Sequence, residues 1–283
     1  MSNVSILVIT KNEEKDLPAC LDSVSWSNDI VVYDSYSSDA TCDIARLSGA
    51  RVVFRHDQDR SFPYGGDEAL HRNWGIHSVN FKNSWLFVID ADERLTHEAS
   101  QELILIAANP YLTNVAYRIR RRDFYQERHL RYVQVTPLYV RFFLPKFVHY
   151  ERLVNPITIV NGQVGDLVHP LDHFPFSKGL HHWLARHNTY STLEAQQLMN
   201  NRRNIPPFSL RKAVTEKDFT IRRFHQKELF NRLPARPLLK FIILFFFKKG
   251  FLDGLPGFHY VILQCFYEYM IVLKFQELML PRL

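Results

Sequence analysis

The chain is 283 residues long, carries a formal net charge of +6 and holds three cysteines, Cys20, Cys42 and Cys265. That length can bury a sizeable core as one large domain or two, and the basic balance suits an anionic substrate or membrane surface better than an acidic partner. The odd cysteine count points to a reducing compartment, and no zinc-finger spacing, helix-turn-helix or RNA-binding signature supports a nucleic-acid partner.

No charged segment followed by an apolar stretch and a cleavage site is read at the N-terminus, so a cytoplasmic location is expected. Val4-Ser5-Ile6-Leu7-Val8-Ile9-Thr10 reads as a strand buried on both faces. Lys11-Asn12-Glu13-Glu14 then opens a helical pattern through Leu17, Cys20, Leu21 and Val24. Ile30 to Asp34 is a second strand of the same kind. Ser37-Ser38-Asp39 offers caps for a helix through Ile44, Ala45 and Leu47 to Gly49. Arg51 to Phe54 is a short third strand. After a polar loop, a helix is expected from about Asp67 to Val79, then a strand from Trp85 to Asp90. Strand and helix alternating at this spacing predict right-handed βαβ units in a parallel sheet.

The fourth strand breaks abruptly into Asp90-Ala91-Asp92-Glu93. A turn after Asp90 lets two carboxylates face one point, and two hard oxygen donors suit a divalent cation that also grips phosphate oxygens. The plainer alternative is a solvated acidic turn ahead of the helix that Thr96 begins. Asp34 reads either as a ligand contact or as a turn acid accepting bonds from Ser37 or Ser38; Asn12 and Glu13 read as ligand contacts, as helix caps, or as both. No glycine fingerprint follows the first strand and there is no P-loop, which disfavours a dinucleotide dehydrogenase or a P-loop kinase.

Three motifs in order resemble the inverting family 2 glycosyltransferases with the GT-A fold: Ile9-Thr10-Lys11-Asn12-Glu13, Val32-Tyr33-Asp34-Ser35-Tyr36-Ser37-Ser38-Asp39-Ala40-Thr41, and Val88-Ile89-Asp90-Ala91-Asp92-Glu93. Ala69-Leu70-His71-Arg72-Asn73-Trp74-Gly75-Ile76 is similar to the family's helix carrying a basic residue and an Asn near the donor. A later portion resembles the bacterial subgroup that glucosylates lipopolysaccharide core or other surface glycans, through Arg141-Phe142-Phe143, His149-Tyr150-Glu151, Asp172-His173-Phe174 and Arg186-His187-Asn188-Thr189-Tyr190-Ser191. It departs from that subgroup in one place, where Tyr150 separates His149 from Glu151.

The resemblance implies an α/β, Rossmann-like GT-A domain over 1–192, with a mostly parallel central sheet flanked by helices. Its nucleotide-sugar half would cover about 1–95 and its acceptor half about 96–192, with a helical, basic and apolar extension over 193–283. It also implies that Thr10, Asn12, Glu13, Asp34, Asn73, Asp90 and Arg141 contact a UDP-sugar, and that Asp92 with Asp90 ligates Mn²⁺ or Mg²⁺. For the base that takes the acceptor's proton, Glu151 comes first, with His149 and Asp172 as alternatives. Glu151 could instead form an ordinary pair with Arg152 or Arg141. His169, His173, His181, His182 and His187 lack the spacing of a zinc helix, and are read as acceptor-site or packing residues. The Gln-X-X-Arg-Trp of processive synthases is absent, which favours addition of one sugar. Two rivals are a nucleotidyltransferase, which would want a glycine-rich basic loop after the first strand, and a non-catalytic sugar-nucleotide-binding subunit.

In the second half, Pro206-Pro207 reads as a linker. The run Leu238 to Phe247 is too short to span a bilayer, which needs about twenty apolar residues. The stretch Phe258 to Phe275 is interrupted by Gln264, Glu268 and Lys274. These read as two helices joined across Gly250 to Gly257. They would either rest on the inner face of the cytoplasmic membrane, where a glycan-bearing lipid acceptor lies, or form a homo-oligomer contact.

Overall fold

The computed structural model describes residues 3–60, 66–151, 156–204, 208–217 and 219–280; Arg152 and the Pro206-Pro207 linker lie outside the described residues. The chain divides into two compact units, one of 1–124 and 135–178, the other of 125–134 and 179–283. In chain order the first half runs β1 (Val4–Thr10), α1 (Leu17–Ser23), β2 (Ile30–Asp34), α2 (Thr41–Leu47), β3 (Arg51–Val53), α3 (Glu68–His77), β4 (Trp85–Asp90), β5 (Glu93–Leu95) and α4 (His97–Ala108). It continues through β6 (Asn114–Ile119), β7 (Arg121–Tyr125), β8 (Arg128–His129, in the second unit), β9 (Tyr139–Phe143), β10 (Val148–Glu151), β11 (Ile157–Val160), β12 (Gln163–Asp166) and β13 (Leu171–His173).

The main sheet has the order β12-β6-β9-β4-β1-β2-β3. Strands β3, β2, β1 and β4 run parallel, β9 runs antiparallel between β4 and β6, and β12 is parallel to β6. This is the α/β, mostly parallel arrangement that the GT-A resemblance implies, with a helical C-terminal region. Two smaller pieces complete the unit: β10 pairs antiparallel with β11, and β13 lies parallel to β7 and antiparallel to β5.

The unbroken apolar strands are explained by burial on both faces. Ile6, Val8, Val32, Phe87 and Ile89 pack on one side with Leu17, Cys20 and Leu21 of α1 and Ala99 and Leu103 of α4. Leu7, Ile9, Val31, Tyr33, Leu86 and Val88 pack on the other with Ala69 and Ile76 of α3. Each such large side chain contributes about 1.5–3 kcal/mol by leaving water. Helix starts follow their capping residues: Asp67 accepts from the Leu70 N–H (2.8 Å) and Thr96 from the Ala99 N–H (3.2 Å). At α2 the expected caps divide their work. Asp39 accepts from the Thr41 N–H, whereas Ser37 and Ser38 turn back to Asp34 and Asn12.

Glycine is required at position 75. A Cβ there would lie 2.9 Å from Tyr33 Cδ1, and the Tyr33 ring is itself stacked on His71 with centroids 4.2 Å apart. Helix α3 can approach the sheet this closely only without a side chain. His71 is fully buried, bonded to the Tyr33 hydroxyl (2.9 Å) and near the Ser35 hydroxyl (3.2 Å); burial pushes its pKa down to about 3.

The second unit is helical: α5 (Gly179–Asn204), α6 (Leu210–Thr215), α7 (Phe219–Arg232), α8 (Arg236–Ile242) and α9 (Gly254–Met279). The boundary expected near residue 192 falls inside α5. The glycine link between the last two helices is shorter than expected, because α9 begins at Gly254 and takes Leu255 and Pro256 into its first turn. A first-turn proline loses no hydrogen bond, since its N–H would have no intrahelical partner. Asp253 accepts from the backbone N–H groups of Arg131 (2.9 Å), Tyr132 (3.0 Å) and Val133 (2.8 Å), and so fixes 125–134 to this unit. Among the described residues, no helix is long and apolar enough to cross a membrane.

Gly75→Ala is expected to cost about 1–3 kcal/mol of unfolding free energy through overpacking against Tyr33, measured as a lowered denaturant midpoint at unchanged slope.

Candidate active site

The parallel strands end together, and their register decides what meets. Thr10 pairs with Asp34 across β1 and β2, and Ile9 with Asp90 across β1 and β4. Open α/β sheets place ligands at this carboxyl edge. Thr10 Oγ1 donates to Asp34 Oδ2 (2.8 Å), and the Ser37 N–H and hydroxyl donate to Asp34 Oδ1 (2.7 Å) and Oδ2 (2.6 Å). Asp34 is fully buried, and its bonds shape the turn after β2. Asn12, at a left-handed φ of 56°, donates its N–H to Ser37 Oγ (2.7 Å) and accepts from the Ser38 N–H (2.8 Å). The first two loops are thus sewn together, with the Glu13 N–H donating to Thr41 Oγ1 (2.7 Å).

Lys178 closes this group from the far end of the unit. Its ammonium donates to the Asn12 carbonyl (2.8 Å) and pairs with Glu13 Oε1 (2.7 Å). Glu13 Oε2 is buried with no hydrogen-bond partner. Burial, only partly offset by Lys178, pushes the Glu13 carboxyl up to about 7.

The acidic turn after β4 is held by arginines. Arg141 on β9 donates through Nη2 to Asp90 Oδ2 (2.5 Å) and to Glu93 Oε1 (3.1 Å). Arg72 on α3 approaches Asp90 Oδ1 at 3.7 Å and pairs with Glu68 at 3.0 Å. Burial acts to raise the Asp90 pKa, but Arg141 and Arg72 hold it below the usual carboxylate range. Glu93 is fully buried and also accepts from the Asp90 N–H and the Tyr139 hydroxyl, both at 3.0 Å.

Asp92 lies past that clamp and meets His173. His173 Nε2 is 3.3 Å from Asp92 Oδ2, while its Nδ1 is 2.6 Å from Asp123 Oδ1. Burial would lower the His173 pKa, and the two carboxylates push it up to about 9. A carboxylate on the far nitrogen of a histidine is the second layer of many metal sites, where it fixes tautomer and orientation. No group of three His, Cys, Asp or Glu poised for a metal occurs among the described residues. Asp92, whose Oδ2 meets His173, is the carboxylate here that could take a hard cation completing its shell with water and phosphate oxygens.

The candidate bases lie apart in character. Period-two alternation in β10 turns Val148 and Tyr150 inward and leaves His149 and Glu151 exposed, with His149 Nε2 at 3.1 Å from Glu151 Oε1. Asn73 grips Tyr150, donating to its carbonyl (2.8 Å) and accepting from its N–H (2.7 Å), which fixes β10 against α3. Asp172 faces away from His173 along β13 and is held by Arg122 through Nε (2.5 Å) and Nη2 (2.9 Å). Two histidines of the histidine-rich segment have separate partners within their own units. His169 bonds Glu102 (3.0 Å), and His187 bonds the Trp183 carbonyl (2.8 Å).

Asp123, Lys178 and Arg72 were not singled out individually as site residues from the sequence. Asp123 carried a signal in being the one acid that ends the basic run Arg120-Arg121-Arg122. Lys178, in the loop before a long helix, carried none.

The family model described as Glycosyl transferase family 2 matches residues 5–160. A glycosyltransferase of Rickettsia typhi is 25% identical over 286 residues, spanning 99% of this chain and 89% of the relative. The lipopolysaccharide core biosynthesis glycosyltransferase LpsC of Rhizobium meliloti is 28% identical over 212 residues, 69% of this chain and 71% of the relative. Among solved structures, glucosyl-3-phosphoglycerate synthase from Mycobacterium tuberculosis, in complex with Mn²⁺, UDP-glucose and phosphoglyceric acid, is similar at a TM-score of 0.35 and 21% identity, over 43% of this chain and 44% of that one.

Arg141→Met leaves Glu93 buried without its cation, so a loss of about 3–5 kcal/mol of stability is expected, as for a broken buried ion pair. Equilibrium denaturation of the variant against the native chain measures it.

Proposed function

The chain belongs to glycosyl transferase family 2 and is a glycosyltransferase; we propose that it moves a single hexose, glucose first, from a UDP-sugar to a glycan or lipid-linked acceptor, inverting the anomeric configuration. The observation that carries this reading is the meeting of Asp92 with an Asp123-anchored His173 (3.3 Å and 2.6 Å) at the sheet edge where Thr10, Asn12, Glu13 and Asp34 also end. The LpsC likeness favours an acceptor in lipopolysaccharide or another surface polysaccharide. Such an acceptor places the enzyme in peripheral contact with the inner face of the cytoplasmic membrane.

The uridine end of the donor rests against the loops after β1 and β2. Glu13 Oε2, buried and lacking a donor, is the natural acceptor for a ribose hydroxyl. Asp92 would hold the divalent cation, Mn²⁺ or Mg²⁺, with His173 orienting its carboxylate. When bound, it offsets the charge that grows on the departing diphosphate. Asp90 acts through Arg141 and Arg72 to keep the acidic turn in place, and those guanidinium groups add positive potential beside the leaving group.

In the transfer, the acceptor hydroxyl oxygen forms a bond to the anomeric carbon as the bond from that carbon to the UDP oxygen breaks. The transition state is oxocarbenium-like, and the hydroxyl proton must leave on the acceptor side. Glu151 takes it. Its carboxylate is exposed, paired only with His149 among the described residues, whereas Asp172 is committed to Arg122. His149 Nε2, 3.1 Å from Glu151 Oε1, orients the carboxylate.

Release of UDP is to be followed across UDP-sugars with and without metal. Glu151→Gln is expected to slow transfer by about 10²–10⁴-fold with UDP affinity unchanged. Full activity in the variant moves the base elsewhere, and no release from any UDP-sugar rejects the transfer itself.

A further inference from the structure

Helix α9 has its polarity reversed relative to a helix at a water-facing surface. From Leu255 to Leu273 the exposed positions are Leu255, Phe258, Ile262, Phe266, Tyr269 and Leu273, at exposures of 38–64%. Their spacing is that of one helical face. No charge occurs on that face over this length. The charged side chains of the helix up to Lys274 turn to its neighbours in the unit: Glu268 is buried, and the half-exposed Lys274 reaches α5. Glu268 pairs with Arg236 and, at 3.2 Å, with Lys240, both from α8. The Lys274 ammonium donates to oxygens of α5, to Asn188 Oδ1 (2.7 Å), Ser191 Oγ (2.9 Å) and Thr192 Oγ1 (2.8 Å). A helix facing water keeps its charges outward, because burying an ionised group costs several kcal/mol unless it is paired. Here that pairing is met inside, and the apolar side is left outward.

At the start of the stripe Phe246 and Phe247 are 56% and 77% exposed, followed directly by exposed Lys248 and Lys249. Neither lysine has an ion pair among the described residues. We infer that the outward stripe of α9 and the Phe246–Lys249 turn lie in the headgroup boundary of an anionic bilayer, with the helix in the plane of the membrane. The stripe then enters the acyl layer and the two lysines meet lipid phosphates. A second copy of the chain fits the surface less well. A second copy would bring the same basic chain, of net charge +6, against Lys248 and Lys249, whereas lipid phosphates neutralise them. Aromatic side chains are favoured where hydrocarbon meets headgroups. The inference rests on the peripheral membrane contact proposed above and specifies the element that makes it.

Co-sedimentation of the full chain with vesicles of phosphatidylethanolamine and phosphatidylglycerol tests it. Binding is expected to fall about tenfold or more in Phe258→Gln/Phe266→Gln, since two buried aromatic side chains are lost from the lipid contact. Lys248→Glu/Lys249→Glu is expected to weaken binding to the anionic vesicles. Phe266→Trp, which keeps the aromatic surface should the double variant fail to fold, is expected to add fluorescence quenched by brominated acyl chains. If the native chain does not bind vesicles, the membrane contact itself is wrong. If it binds and both the double variant and the tryptophan reporter behave as though α9 were in water, the contact stands and its assignment to α9 falls. Loss of a native dimer in the double variant, without vesicle binding by either, assigns the stripe to a second copy.

Discussion

The ion pair that the acidic edge of the sheet depends on is Arg141 with Asp90 and Glu93. Three acids within four positions after a buried strand would repel one another and fray the turn. Arg141, arriving from the antiparallel strand β9, neutralises two of them at 2.5 Å and 3.1 Å, and the fully buried Glu93 is bonded further by Tyr139 and the Asp90 backbone. With Asp90 and Glu93 committed in this way, Asp92 alone points past the clamp to His173. The reversed strand in an otherwise parallel sheet therefore has a chemical consequence: it delivers a cation to the end of β4 from the opposite chain direction.

A second constraint joins the two ends of the first unit. The segment 173–178 begins at Asp92 through His173 and the Phe174 N–H, which donates to the Asp92 carbonyl (2.9 Å). It continues with the Ser177 hydroxyl on Asp16 (2.7 Å) and ends with Lys178 on Asn12 and Glu13. One short stretch thus touches both the carboxylate proposed for the cation and the carboxylate proposed for the ribose. Preorganisation of this kind lowers the ordering cost of binding a charged, flexible diphosphate.

Much of this was legible in the residues. Buried parallel strands announced themselves by unbroken apolarity, and their ends by Thr10, Asp34 and Asp90, because the end of a strand is where hydrophobic content stops. What was not legible is pairing across the sheet. Arg141, expected against the donor, donates through Nη2 to the acidic turn, and Asn73, expected likewise, grips the Tyr150 backbone. Asp92, expected to act together with Asp90, meets His173, while Asp90 is bonded by Arg141 and approached by Arg72. Such outcomes depend on which strands are neighbours, and β9 and β13 arrive from far along the chain. In the second unit, Gln264, Glu268 and Lys274 read as interruptions of an apolar run. Glu268 and Lys274 prove to be its inward contacts, and a linear pattern cannot say which side of a helix faces its partners.

The central claim is that the edge formed by Asp92, His173 and the β1 and β2 loops holds a nucleotide through its diphosphate and a divalent cation. Calorimetric titration with UDP, in Mn²⁺ and in chelator, on the native chain and on Asp92→Asn, tests it most directly. Uptake of UDP that requires Mn²⁺ and weakens about tenfold or more in Asp92→Asn is expected. No uptake in Mn²⁺, or uptake indifferent to both the metal and Asp92, would contradict it.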